Sequence, residues 1–248
     1  MLQSAGSIVT LIYPVTNKKN CNIKNFIRKI YFRFYYNLFL KRKNRDTAFE
    51  KIGGFKFTIP PTVFNPSEYV SSEIFTDFID SLTDLKGKYI LDMGCGSGTV
   101  SVFAASKGAD CFAVDINPMG VKAAIQNALR NGLSTKVQGI ESNLFQKMDA
   151  SKKFDIMFFN PPYFKGIAKN NFELAFKGGE NYEVITSFIK DSKSFLKENG
   201  LIYFIISSDM DIKLLEQMFR EQGFEFNIVK KIEKLFETFY ITKSFVIK

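Results

Sequence analysis

Past Lys88 the chain alternates between short apolar runs and helix-like segments, and this alternation limits the fold more than any other feature. Strands are expected at 89–93, 111–115, 137–140, 154–159 and 201–207, and helices at about 99–107, 118–131, 182–197 and 211–222. Pro118 stands at a helix start, and Gly132 and Gly223 follow helix ends. Parallel neighbours need a crossover, and helices supply it, so the pattern implies an α/β fold with helices on both faces of a mostly parallel sheet. Two further runs, 224–231 and 239–247, read as antiparallel closing strands. Upstream, 54–59 alternates like a strand or hairpin arm, and 71–85 places Ile74, Phe75, Phe78, Ile79 and Leu82 on one helix face. Such sheets bind ligands at the carboxyl ends of their strands, where strand order reverses.

The first of these runs carries the chemistry. Tyr89-Ile90-Leu91-Asp92-Met93 is followed by Gly94-Cys95-Gly96-Ser97-Gly98-Thr99 and then by a helix start. A strand, a glycine turn and a helix N-terminus form a nucleotide-type site. The spacing is not G-x-G-x-x-G, so the dinucleotide fingerprint is not met. Asp115, 17 residues after Gly98, ends the second strand, where an acid can accept both hydroxyls of a ribose. A helix-capping acid is the plainer alternative. Asp92 would sit beneath the turn, either toward the ligand or as a cap for the loop. Asn143, after the third strand, can give and accept hydrogen bonds at an adenine edge, or be an ordinary loop residue.

At the end of the fourth strand stands Asn160-Pro161-Pro162-Tyr163. The prolines fix φ and remove backbone donors. The Pro161 carbonyl is left as an acceptor beside the Asn160 amide oxygen, and such a rigid pair suits a planar NH2 group. Tyr163 adds an aromatic face for a flat substrate.

Composition excludes several chemistries. The chain of 248 residues has no histidine, which rules out a Ser-His-Asp hydrolase and a histidine-ligated zinc site. Its three cysteines, Cys21, Cys95 and Cys111, suit neither a disulfide framework nor a zinc site, so no metal is expected and the compartment is read as cytoplasmic. No apolar run reaches the length of a membrane span. Nor do residues 7–15, apolar but without a basic leader, read as a secretory signal. The net charge of +9 lies in residues 1–45, which hold ten of the 34 basic residues and no acid. Within that stretch, 22–43 reads as a basic amphipathic helix rich in aromatics. Residues 1–50 are therefore taken as an arm and 51–248 as the catalytic domain. The arm is open to four readings: a helix packed on the domain, a nucleic-acid contact, an anionic membrane surface, or a cleaved organelle-targeting segment.

With those residues in place, the chain from about residue 54 onward resembles the class I S-adenosylmethionine-dependent methyltransferases with an N-P-P-Y motif. The resemblance implies a Rossmann-like seven-stranded sheet with an antiparallel last strand, and S-adenosylmethionine as cofactor. It assigns Asp92, Gly94, Cys95, Gly96 and Gly98 to the methionine-binding loop and Asp115, with Ile116, to the ribose. Asn143 and Leu144 fall to the adenine, although an Asp is commoner at 143. Asn160, Pro161, Pro162 and Tyr163 become the catalytic loop.

Two acceptors are left open by the motif. Ala175-x-x-Gly178-Gly179 and Val63-Phe64-Asn65-Pro66-Ser67-Glu68 resemble the HemK-type glutamine methyltransferases. Tyr69-Val70 stands where they carry Asp-Thr. This resemblance implies a glutamine amide of a translation factor or ribosomal protein as substrate. The alternative is an exocyclic amine, adenine N6 or guanine N2, in RNA or DNA, with the basic arm as nucleic-acid contact. An inactive methyltransferase-like binding module is a third reading. A helper subunit and the oligomeric state are not legible.

Overall fold

A computed structural model of the chain describes residues 46–234 and 237–247. The basic helix read on 22–43 lies outside the described residues. The description opens on a hairpin, β1 (Ala48–Ile52) and β2 (Phe55–Ile59), paired from Ala48↔Ile59 to Ile52↔Phe55. Its turn is Gly53-Gly54, with φ of 53° and 90°, as two-residue hairpin turns require. The boundary expected at residue 50 thus falls inside β1. Sequence pattern alone identified only the β2 half of this hairpin.

The remaining elements follow the expected order. Helix α1 (Val70–Ser81) precedes β3 (Tyr89–Met93), α2 (Thr99–Ser106), β4 (Asp110–Asp115), α3 (Pro118–Arg130) and β5 (Val137–Glu141). Then come β6 (Phe154–Phe159), a short α4 (Asn171–Leu174), α5 (Glu183–Ser192), β7 (Leu196–Ser207), α6 (Ile212–Glu221), β8 (Phe224–Glu233) and β9 (Thr238–Val246). The seven-stranded sheet runs β5-β4-β3-β6-β7-β9-β8. The pairs among β3 to β7 are parallel, and β9 is antiparallel to both β7 and β8. This is the expected Rossmann-like α/β sheet with its antiparallel final strand.

Two boundaries move. The first helix stops at Ser81, short of Leu85, because Leu82 turns to extended backbone with ψ 132°. Asn199-Gly200, expected to separate a helix from a strand, lies inside β7. There β7 pairs with β6 both before the interruption, Phe154↔Leu196, and after it, Ile156↔Leu201. Asn199, at φ 60°, lets the intervening residues bulge out while both flanks keep their partner. Local turn chemistry was read correctly there, but only the neighbouring strand shows that the strand resumes.

Alternate residues of the central strands point to opposite faces. Ile90 and Ile156 join the core under the hairpin, α1, α2 and α3, while Leu91, Met93 and Phe159 join a second core under α5 and α6. That second core is aromatic: Phe159, Phe188 and Phe204 meet at centroid distances of 4.8 to 5.3 Å. Among the described residues no helix is long and apolar enough to cross a membrane.

Candidate active site

Strand order reverses between β3 and β6, and these two strands are register partners up to Met93↔Phe159. The residues that follow them, Gly94 and Asn160, therefore start from adjacent strand ends. The glycine turn and the Asn-Pro-Pro-Tyr stretch, 66 residues apart in sequence, face one crevice.

The glycine loop is built backbone-first. Gly94, Gly96 and Gly98 have φ of 67°, 51° and 80°. A methyl group added at Gly98 would lie 2.6 Å from Cα and Cβ of Ala124, so this glycine lets α3 pack onto the loop. At Gly96 the same methyl group would meet nothing within 4 Å, so this glycine faces space in which a ligand can approach the backbone. Cys95 is only 7% exposed and burial pushes its thiol pKa up, so the loop presents its backbone and not its sulfur. Asp92 lies beneath the loop. Its Oδ2 accepts from the Ser101 N–H at 3.0 Å and the Ser101 hydroxyl at 2.6 Å, in the first turn of α2. Burial raises its pKa to about 7, against these two hydrogen bonds. Asp92 thus fastens the helix N-terminus behind the glycines.

Asp115 joins the loop to the next turn. Its Oδ2 accepts from the Gly96 N–H and its Oδ1 from the Asn117 N–H, both at 2.8 Å. Burial shifts its pKa upward. Ile116 beside it is 44% exposed, an apolar surface next to the acid. The Ser142 N–H donates to the Asp115 carbonyl at 2.9 Å, which brings Asn143 and Leu144 to the same strand ends. Asn143 is exposed, and Leu144 is held at φ 50°. For a non-glycine residue that is strained backbone, of the kind that clusters at functional sites.

Across the crevice, Asn160 is half-buried, and among the described residues its side chain makes no hydrogen bond. That separates it from Asn65, Asn117, Asn127, Asn131 and Asn170, whose side chains all bind backbone groups, local ones or those of the hairpin. Pro161 and Pro162 are buried, and no described backbone N–H donates to the Pro161 carbonyl. Tyr163 packs against both cores, with its hydroxyl buried facing Ser71 of α1, and burial pushes its pKa up. Its polar end is turned inward, so only ring surface is left for the crevice.

The segment after the motif locks it in place. The Phe164 N–H donates to the Phe176 carbonyl (2.8 Å), the Phe164 carbonyl accepts from the Gly178 N–H (3.0 Å), and Gly166 pairs with Gly179. A methyl group at Gly178 would lie 3.1 Å from Cγ and the carbonyl oxygen of Pro162. Gly178 thus fits closely against Pro162 and is not merely part of a turn. Phe64 stacks on Tyr69 at 4.2 Å, and Phe176 leans on both at 5.6 to 5.7 Å, tying the lead-in to α1 to this segment.

Two supporting residues had no assigned role from sequence. Asn117 caps α3 and donates to the Thr62 carbonyl at 3.1 Å. Asn127 is wholly buried in α3. The available signal for it was an asparagine among alanines on a buried helix face, a costly placement without partners. Among the described residues no group of three or more His, Cys, Asp or Glu side chains is placed to hold a metal ion.

Comparison with known proteins identifies the family and the fold. The family model described as the methyltransferase small domain matches residues 55–234. A Methanocaldococcus jannaschii protein named as a protein N5-glutamine methyltransferase is 31% identical over 200 residues, covering 78% of this chain and 97% of that protein. A release factor glutamine methyltransferase of Fusobacterium nucleatum is 32% identical over 199 residues, 76% of this chain. The match spans about half of that enzyme's length, 52%. Among solved structures, the T. thermophilus 16S rRNA N2 G1207 methyltransferase, in complex with AdoMet and guanosine, superposes with a TM-score of 0.62 at 19% identity, covering 81% of this chain and 50% of that one. At that identity the likeness is one of fold.

Proposed function

The chain belongs to the methyltransferase small-domain family, and on that premise we propose that this S-adenosylmethionine-dependent methyltransferase modifies the side-chain amide nitrogen of a glutamine in a protein of the translation apparatus. One observation carries the reading. At the end of β6, next to the glycine loop, the Asn160 side chain and the Pro161 carbonyl are held rigidly and make no described hydrogen bond of their own. The M. jannaschii relative, which this chain covers almost fully, supports glutamine as the acceptor.

The residues present fit the cofactor. The open side of Gly96 and the adjoining N-terminus of α2 would take the methionine end. Asp115 would face the ribose, with Ile116, Asn143 and Leu144 around the adenine. S-adenosylmethionine supplies an electrophilic methyl group, so the protein needs neither metal nor histidine. Its own task is to orient a weak nucleophile. An amide nitrogen has its lone pair delocalised into the carbonyl. Two hydrogen bonds, from its N–H groups to Asn160 Oδ1 and to the Pro161 carbonyl, hold the NH2 plane and aim the lone pair across the crevice. The same acceptors stabilise the positive charge that develops on nitrogen. Gly178 beneath Pro162 and the Phe164–Phe176 hydrogen bond keep that pair from shifting.

The experiment is methyl transfer from labelled S-adenosylmethionine into a cell lysate, divided between nuclease and protease treatment. Label that survives nucleases and disappears with protease is expected, and it maps to glutamine by mass spectrometry. Asn160→Ala is expected to lower kcat at least ~100-fold, the scale of losing one pre-placed electrostatic partner, with the S-adenosylmethionine Kd nearly unchanged. Turnover retained in that variant would refute the assignment. A second reading, methylation of a base amine, is favoured by the acid-free basic stretch 1–45. Label lost to nuclease would select it.

A further inference from the structure

We infer that Asn127 is a positioning residue for S-adenosylmethionine binding, acting through the Ser97 carbonyl, and that the β1–β2 hairpin is the outer support of the cofactor loop. The inference rests on the cofactor site described above and adds to it a part that touches no ligand.

Asn127 is fully buried in α3, beside Ala123, Ala124 and Ala128. Asparagine is a poor helix former, and a buried amide is costly unless bonded. Here one acceptor and two donors are filled, all by backbone. Oδ1 accepts from the Thr58 N–H at 2.8 Å, and Nδ2 donates to the Thr58 carbonyl at 3.0 Å and to the Ser97 carbonyl at 2.9 Å. The amide therefore treats Thr58 as a neighbouring strand would, and reaches into the glycine loop with its remaining proton.

One helical turn later Asn131 repeats two of these three bonds, and its Nδ2 also donates to the Asn127 carbonyl at 2.7 Å. It accepts from the Lys56 N–H at 2.9 Å and donates to the Lys56 carbonyl at 2.8 Å. The match is geometric. Four residues of helix rise ~6 Å and two residues of strand ~7 Å, so amides at i and i+4 meet one edge of an extended strand at alternate residues. β1 pairs the other edge of β2, and the helix stands in for the missing strand. Asn131, however, touches no loop residue in this set of bonds. Of these two amides it is Asn127 that joins hairpin to loop, and Asn131 is the built-in control.

The Ser97–Gly98 peptide is held at both ends. The Gly98 N–H donates to the Cys95 carbonyl at 2.8 Å, and the Ser97 carbonyl accepts from Asn127. Ser97 is itself buried. Without Asn127 that peptide plane is released on one side, the loop populates other arrangements, and apparent affinity falls with the competent fraction.

The test compares wild type, Asn127→Ser and Asn131→Ser by calorimetric titration with S-adenosylmethionine, steady-state kinetics and backbone hydrogen exchange. Asn127→Ser is expected to raise the cofactor Kd and KM about tenfold or more, the scale of leaving a buried acceptor unsatisfied, with kcat at saturating cofactor within about twofold. Exchange at residues 94–98 of the cofactor-free protein is expected to speed up. Asn131→Ser is expected to leave Kd and loop exchange unchanged. Equal effects of the two variants, or a lower melting temperature for Asn127→Ser with unchanged Kd, would overturn the inference. Should Asn127→Ser fail to fold, wild-type exchange with and without S-adenosylmethionine decides. Protection that spreads to the Lys56 and Thr58 amides on binding supports the coupling, and protection confined to the loop overturns it. Wild type that binds no S-adenosylmethionine overturns instead the cofactor site on which the inference rests.

Discussion

Gly96 and Gly98 lie two residues apart, share a left-handed backbone, and should respond to alanine differently, one mainly in cofactor affinity and the other mainly in stability. Both substitutions place a Cβ at positive φ, at 51° and 80°, which costs roughly 1–2 kcal/mol each. At Gly98 the new methyl group also falls 2.6 Å from backbone and side chain of Ala124. A backbone atom in a packed helix cannot rotate away, so overpacking adds about 1–3 kcal/mol. The total for Gly98→Ala is thus about 2–5 kcal/mol, a large share of the 5–15 kcal/mol that holds a domain together. At about 2–4 °C per kcal/mol for a domain of this size, the melting temperature should fall by roughly 4–20 °C. Gly96→Ala meets nothing within 4 Å, so only the conformational cost applies and the drop should be roughly 2–8 °C. Its methyl group instead enters the space assigned to the cofactor, and the S-adenosylmethionine Kd should rise at least about tenfold, a loss of 1.4 kcal/mol or more. Scanning calorimetry and titration calorimetry read the two quantities separately. Unchanged affinity in Gly96→Ala would refute the placement of the cofactor against this glycine. Equal melting temperatures for the two variants would refute the close approach of α3 at Gly98.

Asp92 makes stability depend on pH. Its folded pKa of about 7 stands above the ordinary 3.8, so between about pH 4 and pH 7 the folded state holds a proton that the unfolded state has lost. Stability should therefore fall as pH rises through that window, by up to about 4 kcal/mol, and level off above it. Asp92→Asn keeps an acceptor for Ser101 and should flatten this slope in urea melts from pH 5 to 8; identical slopes would refute the assignment. Gly178→Ala acts on the opposite wall. Its Cβ would press on Pro162 at 3.1 Å, so kcat should fall about tenfold or more, since small misplacements near reacting groups are costly. Cofactor affinity should stay within about twofold, and full kcat in this variant would show that Pro162 is not held from below.

The two ends of the site differed in how far local pattern reached. The glycine loop was readable because its requirements are local: left-handed backbone at residues 94, 96 and 98 calls for glycine whatever surrounds it. The proline loop was readable for the same reason, since a proline's fixed φ and missing N–H are properties of the residue itself. Asp92 was legible as an acid near the turn, but its partner, Ser101 on the following helix, was not. Tyr163 was read as a face for stacking, and the structure turns its hydroxyl inward toward Ser71. No periodicity could state which way a ring would point.

By itself the sequence determined the α/β order of elements and the strand-end position of both loops. These follow from hydrophobic period, glycine and proline, which act within a few residues of chain. Only the tertiary structure decided that Met93 and Phe159 are register partners, that Gly178 supports Pro162, and that Asn127 bridges a hairpin 69 residues upstream to a loop 30 residues upstream. Those contacts join residues far apart in sequence through strand pairing and close packing. They depend on where each element comes to rest against the others, and a run of residues holds no record of that.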